Sequence, residues 1–363
     1  MQVREGSVII ELSDRLFYNP HMEFCRDMSS LSVGAIGRMF GDRLDLCDGF
    51  TATGIRGIRY AKENPDVIER LTLVDANRFA KEVVVKNLKI NGVEGEFVQD
   101  DIVHYVYGKH HTFVEIDPFG TPQPFIRPVI SSFYSDNSIK TAYLSVTATD
   151  PAVLCGAHYK ACVKLYHSYP LHTSFCHEVG IRILLINIMW AANEYDFGIE
   201  PLFSLSHRHF MKVLVRLQRG ARYATDNTKM MGYLTYDPKE YNIEVSRFPM
   251  SQEQSRIGGP LWLGELHNRR FVSIMREINR ERDYKNKEKL NKYLSMMIGE
   301  VDMPPYFYDT HLLAKVFKHQ PIKLQDILDR LNDRGYPAVK THFSPNGFKT
   351  RAPLEVIREC FTR

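Results

Sequence analysis

The sequence predicts an α/β fold in two parts: a mostly parallel sheet with helical crossovers, followed by a second, smaller α+β unit. Three observations carry this. Between residues 44 and 147 short apolar runs alternate with helical stretches, the pattern of a parallel sheet wound with right-handed crossovers. Three of the runs end on an acidic residue followed by turn chemistry, at Asp48-Gly49, Asp75-Ala76-Asn77 and Asp117-Pro118. Ligands of open α/β sheets sit beyond the carboxyl ends of the strands, so a site is expected there. Past about residue 200 the regular alternation stops. The length of 363 residues, at roughly 150 per domain, also favours two units.

Taken in order, strands are predicted at Leu44–Cys47, Leu71–Val74, Glu96–Val98, Thr112–Ile116 and Thr141–Val146. Helices are predicted between them at Gly54–Glu63, Phe79–Asn91 and Pro124–Tyr134, with a long one at Cys176–Tyr195. His207–Gln218 alternates like a strand that either completes the first sheet or opens the second unit. The boundary is therefore set near 205, giving domains 1–205 and 206–363. In the second, Ala221–Met231 reads as a helix, Gly232–Tyr236 as a strand and Arg276–Tyr293 as a charge-laced helix with a solvated face. Leu324–Asn332 reads as a helix closed by Gly335. Ala338–Lys349 then reads as a basic hairpin turning at Ser344-Pro345-Asn346-Gly347. A helix followed by a basic hairpin resembles a winged-helix arrangement, which commonly touches nucleic acid.

Composition sets limits. With 44% hydrophobic and 25% charged residues, the chain is neither collagen-like, coiled coil nor disordered. A net charge of +4 is too small to diagnose nucleic-acid binding and compatible with it if concentrated on one face. The six cysteines form no C-x-x-C, so no zinc or dithiol motif is expected and the reading is a reduced, cytoplasmic protein. The opening MQVREGSVII has no charged segment leading into a long apolar run. The most apolar stretch, Ile181–Ala192, carries Arg182 and Asn187 and is too short to span a bilayer, so no membrane partner is expected.

The chemistry starts at the first strand, which leads into Asp48-Gly49-Phe50-Thr51-Ala52-Thr53-Gly54-Ile55-Arg56-Gly57. A Gly-rich turn between strand and helix lets a ligand approach the backbone. Gly49 and Gly54 have the spacing of a P-loop, but Ile55-Arg56 stands where a P-loop needs Lys and Ser or Thr, and G-x-G-x-x-G is absent. Asp75, twenty-one residues past Gly54, can accept both hydroxyls of a ribose; it also reads as a helix cap. A Gly turn and a ribose acid without a pyrophosphate motif fit a nucleoside ligand lacking phosphate, such as S-adenosylmethionine. Asp100-Asp101-Ile102 then either meets the adenine or forms an exposed turn.

Asp117-Pro118-Phe119-Gly120 resembles the D/N-P-P-Y/F motif of enzymes that methylate amino groups on planar rings. An exocyclic amine conjugated to a purine has a delocalised lone pair. A carboxylate and a backbone carbonyl that accept its two N–H bonds free that pair for a methyl group, and an aromatic side chain stacks on the base.

Longer stretches carry a specific resemblance: FYNP at 17–20, Arg26-Asp27, TGIRGIRYA at 53–61, VDAN at 74–77, DPFGTPQPFI at 117–126, TATDPAVLCG at 147–156, FCHEVGIRILL at 175–185, GIEPLFS at 198–204, GGPLWLGELH at 258–267 and THFSPNGFKT at 341–350. In these the chain resembles the archaeal branch of the tRNA (guanine-26-N2) dimethyltransferases. The resemblance implies a class I S-adenosylmethionine-dependent methyltransferase (Rossmann-like) sheet with a C-terminal tRNA-binding domain, no metal and no obligate protein partner. It implies donor contacts from Arg26, Arg56, Asp75, Asp101 and Ile102, with both arginines reaching the donor carboxylate; each also reads as a surface ion pair. It makes Asp117 the catalytic carboxylate and lets Phe119 and Phe17 sandwich the guanine, although Phe17 also reads as core. Two departures stand out: the cysteine pairs that many members carry before GGPLW are missing from Phe248–Gln254, and Cys47-Asp48-Gly49-Phe50 makes an unusual first turn. Open alternatives are an amino methyltransferase for another RNA guanine or DNA adenine, or a nonenzymatic RNA-binding protein.

Overall fold

In the computed structural model, residues 1–250 and 254–362 are described. An antiparallel hairpin, β1 (Gln2–Glu5) and β2 (Val8–Glu11), opens the chain. Asn91 and Asn87 on a later helix satisfy its outer backbone: Oδ1 of Asn91 accepts from Ile9 N at 2.9 Å, and Oδ1 of Asn87 from Glu11 N at 2.8 Å. Helix α1 (Glu23–Phe40) is buried over most of its length and stops where Gly41 turns left-handed, φ +72°.

The alternating region follows as β3 (Leu44–Asp48), α2 (Ile55–Glu63), β4 (Ile68–Val74), α3 (Ala80–Asn91), β5 (Glu96–Val98), α4 (Ile102–Tyr105), β6 (Phe113–Ile116), α5 (Gln123–Ser135) and β7 (Thr141–Ala148). Helices α6 (Pro151–Leu154), α7 (Tyr159–Tyr166) and α8 (Cys176–Asn193) lead to a hairpin, β8 (Phe197–His207) and β9 (Phe210–Arg219). The seven strands form one sheet in the order β5-β4-β3-β6-β7-β9-β8. β3 to β7 run parallel, and β9 is antiparallel to both of its neighbours. Nearly every side chain of β6 and β7 is buried, as expected for strands covered on both faces. One apolar cluster fills the face under α5 and α8; another fills the face under α1, α2 and α3.

The sheet runs past the expected boundary near 205. A cut between 205 and 206 would fall inside β8, and the strand predicted at 207–218 completes the first sheet. The sheet therefore extends to Arg219. Of its last hairpin, β8 escaped prediction because Pro201 interrupts its period, where the register shifts.

Beyond it come α9 (Ala221–Thr228) and a three-stranded sheet of β10 (Met231–Asp237), β11 (Asn242–Ser246) and β12 (Arg256–Trp262). The stretch predicted as one solvated helix is two, α10 (Arg269–Glu281) and α11 (Lys287–Glu300). Phe271, Val272, Met275 and Ile278 bury one face of α10 in the cluster shared with α1. The chain ends in β13 (Tyr308–Asp309), α12 (Thr310–Phe317), α13 (Leu324–Asp333), β14 (Ala338–Lys340), β15 (Gly347–Thr350) and α14 (Leu354–Glu359), the three strands pairing as β13-β15-β14. Of the cysteine-free stretch 248–254, Ser251–Glu253 lie outside the described residues.

The expected basic hairpin forms, and part of its charge is spent internally. Lys349 is buried and donates to Glu178 Oε1 at 2.6 Å. His342 is buried against Glu300, and Arg351 donates to the Asp302 carbonyl. Lys340 and Arg351 are exposed, so the hairpin shows two of these four basic groups at the surface. No helix among the described residues is long and apolar enough to cross a membrane.

Candidate active site

β3 hydrogen-bonds to β4 on one side and β6 on the other, so the strand order reverses there and a crevice opens beyond the strand ends. The turn after β3 is pinned to both neighbours: Gly49 N donates to Glu115 O at 3.1 Å and Thr51 N to Val74 O at 3.1 Å. A side chain at position 49 would place Cβ 2.8 Å from two carbons of Ile102 and 3.1 Å from the Glu115 carbonyl, so glycine alone fits. Ile102 thus supports the turn from below, and Asp101 caps α4 by accepting from Val103 N at 2.8 Å. Neither lines the cleft. Asp75 does: its Oδ2 accepts from Ala52 N at 2.7 Å and its Oδ1 from Asn77 N at 2.8 Å. Ala52 adopts a left-handed φ of +48° to make that bond.

The cleft measures about 500 Å³, within the usual ~300–1,000 Å³ of small-molecule sites. Phe17, Arg26, Arg56, Asp75, Asp117 and Phe119 all line it, as do Thr149 and His209. Phe17 and Phe119 are 55% and 77% exposed, so Phe17 is not core. Their rings meet edge to face, centroids 4.8 Å apart at 83°. That is not a parallel slot; one ring must turn for a base to lie between them.

Both arginines are already engaged. Arg26 grips Glu5 with Nε and Nη2, each at 2.6 Å. Its Nη1 takes no part in that pair. Arg56 pairs through Nη2 with Asp117, lies 3.8 Å from Glu115 and donates to Ser29 Oγ at 3.2 Å. Arg56 therefore serves the Asp117 carboxylate while also lining the cleft in which it was expected to meet the donor.

Behind Asp117 lies a buried network invisible in the motifs. Glu115, on the same face of β6 two residues earlier, accepts from Lys212 Nζ at 2.6 Å and from Tyr60 Oη at 2.8 Å. Lys212 is fully buried on β9. A lysine inside the apolar run HFMKVLV was the signal for it. Burial by itself would raise the Asp117 carboxyl, but the Arg56 and Lys212 charges outweigh it and hold it below the usual range. Asp117 is thus an anion at neutral pH, ready to accept hydrogen.

Asp48 goes the other way. Its Oδ2 accepts from Thr51 Oγ1 and Gly57 N, each at 3.1 Å, while Oδ1 has no partner. Burial, opposed by Arg56 and reinforced by Glu115, pushes it up to about 7. The cluster is then balanced, Arg56 and Lys212 against Asp117 and Glu115, only while Asp48 holds its proton. An acid raised in the folded state costs nothing below its unfolded value, about 3.9, and costs more as pH rises to about 7. Asp48→Asn is therefore expected to lose less stability than wild type as pH rises through that window. Thermal melts at several pH values check this; parallel pH curves for the two proteins would refute it.

Asp75 offers an acceptor-only carboxylate for ribose hydroxyls, Arg26 has donors to spare for a carboxylate, and the turn lacks phosphate-binding chemistry. These residues fit S-adenosylmethionine. The sheet order, the crevice and the Asp-Pro-Phe-Gly carboxylate define a class I S-adenosylmethionine-dependent methyltransferase.

The family model for N2,N2-dimethylguanosine tRNA methyltransferases matches residues 1–362. The chain belongs to that family. It is 37% identical to the tRNA (guanine(26)-N(2))-dimethyltransferase of Pyrococcus furiosus, covering 96% of this chain and 93% of the relative. It is 34% identical to the enzyme of that name from Thermococcus kodakarensis, covering 98% and 97%. Among solved structures, Trm1 from Pyrococcus horikoshii in complex with S-adenosyl-L-methionine matches with a TM-score of 0.90, at 33% identity over 100% of both chains.

Proposed function

We propose that this chain transfers two methyl groups in succession from S-adenosylmethionine to N2 of guanine 26 in tRNA, in the cytoplasm. The observation that carries it is the Arg56-clamped Asp117 anion standing in one cleft with Asp75 and the exposed Phe17–Phe119 pair. The donor supplies an electrophilic methyl on a sulfonium. Asp75 holds its ribose and Arg26 its carboxylate. Asp101 and Ile102 act one step back, by fixing α4 under the Gly49 turn. Phe119 and Phe17 take the guanine, which must leave its stack at a cost of a few kcal/mol. Asp117 and the Pro118 carbonyl accept the two N–H bonds, localise the nitrogen lone pair, and Asp117 receives the proton the nitrogen sheds. Catalysis is then chiefly positioning and electrostatics.

The part beyond Arg219 is assigned to tRNA. In the sheet domain, Arg78 and Arg208 are exposed and next in sequence to the cleft residues Asn77 and His209, which offers phosphate partners beside the mouth. Phosphate contacts there make binding salt-dependent.

Asp75→Ala is expected to weaken donor binding roughly 10- to 150-fold, the equivalent of about 1.5–3 kcal/mol for lost charged hydrogen bonds. Calorimetric titration measures it, and an unchanged Kd would remove Asp75 from the site. For the reaction itself, nucleoside analysis over time should show monomethylguanosine appear and then be consumed. The flat walls at Phe17 and Phe119 leave room to rotate the first methyl away. A course that halts at the monomethyl product with fresh donor would overturn dimethylation.

A further inference from the structure

We propose that Cys155, Cys176 and His177 form a binding site for a thiophilic divalent cation of the zinc type, with three protein ligands and one open position. The inference is independent of the tRNA reading. It also goes against the expectation of no metal, which rested on the absence of C-x-x-C. Here the fold assembles the ligands instead: Cys155 follows α6, whereas Cys176 and His177 open α8, twenty-one residues later in sequence.

One ligand atom from each residue lies within 4.8 Å of the other two. Cys155 Sγ stands 3.6 Å from His177 Nδ1. An ion bound tetrahedrally at about 2.3 Å to sulfur and about 2.0 Å to nitrogen separates those two ligands by about 3.5 Å. The edge is already at the length a metal requires. The same Nδ1 has Ser206 Oγ at 3.1 Å. Cys155 Sγ and Ser206 Oγ thus both lie at one ring nitrogen, which in its unprotonated form can bind a cation beside the two sulfurs. Two thiolates, a neutral imidazole and a dication sum to zero, so burial carries no net charge. Cys155 is buried while Cys176 and His177 are half-buried, which leaves a way in for the ion.

A second cluster, His267, Glu300 and His342, shows the contrast. Ser204 N donates to His267 Nδ1 at 3.3 Å, so Nε2 carries the proton and has no lone pair for a metal. His342 Nδ1 is already bonded to Glu300 Oε1 at 2.8 Å. That cluster holds protons.

The proposed site sits behind the catalytic loop. Thr149, two residues before α6, accepts from Gly120 N through Oγ1 at 2.7 Å and donates its own N–H to Gly120 O at 3.0 Å. A metal tying the end of α6 to the start of α8 would brace the segment that holds Pro118–Gly120.

The test uses the full chain, reduced and stripped with a chelator, then titrated with Co²⁺. One equivalent should bind and give a thiolate-to-cobalt charge-transfer band with tetrahedral d–d absorption, both erased by Zn²⁺. The Cys155→Ser/Cys176→Ser variant should lose the band. His177→Gln should weaken Co²⁺ by more than the about 10- to 100-fold typical of outer-shell changes. Circular dichroism and donor titration confirm that each variant is folded, and if the double variant is not, His177→Gln carries the test. The proposal is overturned if reduced wild type gives no cobalt spectrum, or if a folded double-cysteine variant keeps it. It is equally overturned if His342→Gln alone removes the metal, or if the two cysteines oxidise to a disulfide while the reduced chain takes up no cobalt.

Discussion

Asp117→Asn is expected to slow methyl transfer by about 10²–10⁴-fold, the usual worth of a positioned proton acceptor, with donor affinity close to wild type. The amide can still accept one N–H, but it offers no negative charge to the nitrogen that becomes cationic and no base for its proton. Donor binding should survive because Asp75 and Arg26 approach the cleft from other elements, the end of β4 and α1. Arg56 keeps Glu115, 3.8 Å away, as a partner, so the loop should not collapse. Single-turnover rates alongside calorimetric donor titration separate the two effects. A rate within about twofold of wild type, under 0.5 kcal/mol of barrier, would mean that another group accepts the proton.

Arg59→Leu is expected to cost the most stability. Arg59 is fully buried and binds three carboxylates: Glu5 Oε1 at 2.8 Å, Asp27 Oδ1 at 2.7 Å and Glu63 Oε1 at 2.9 Å. These come from β1, α1 and α2, so one guanidinium ties the N-terminal hairpin to the sheet's helices. Removing one partner of a buried ion cluster costs about 3–5 kcal/mol. At roughly 2–4 °C per kcal/mol for larger domains, the fall in Tm is ~6–20 °C. Burial opposes ionisation of Glu5 and Glu63, but Arg26 and Arg59 win at Glu5, and Arg59 with its hydrogen bonds at Glu63, so both carboxyls are lowered. Their stabilisation is present above the unfolded carboxyl value and is lost as pH falls through the folded one. Without Arg59 the unpaired anions can be relieved by protonation, so the gap between variant and wild type should be widest near neutrality and narrow in acid. Thermal melts across that range measure it; a gap independent of pH would place the cost in packing alone.

Asp75 and Asp117 were both legible before any coordinates, as acids closing strands in an alternating segment, and the cleft brings them together. Arg26 and Arg56 were legible as cleft residues, but their protein partners Glu5 and Asp117 were not. The guanidinium chemistry that suits a donor carboxylate suits Glu5 and Asp117 equally, and spacing does not say which is nearer. Arg59 sits in the same TGIRGIRYA stretch and passed unnoticed, because nothing local marks an arginine as buried beneath three acids. Phe17 showed the reverse ambiguity: an aromatic after an apolar residue reads as core, yet the cleft leaves it open.

The sequence by itself determined the parallel sheet, its acid-ended loops and the glycine-bearing first turn, because strand period and turn chemistry are properties of a few neighbouring residues. Tertiary structure decided where charge is consumed. It buried Lys349 on Glu178, set Lys212 of β9 against Glu115 of β6, and carried the sheet to Arg219. It also brought Cys155 to Cys176 and His177. Each of these joins positions far apart in the chain. A charge or thiol that must find its partner inside a low-dielectric interior is placed by the packing of whole elements, which no local pattern encodes.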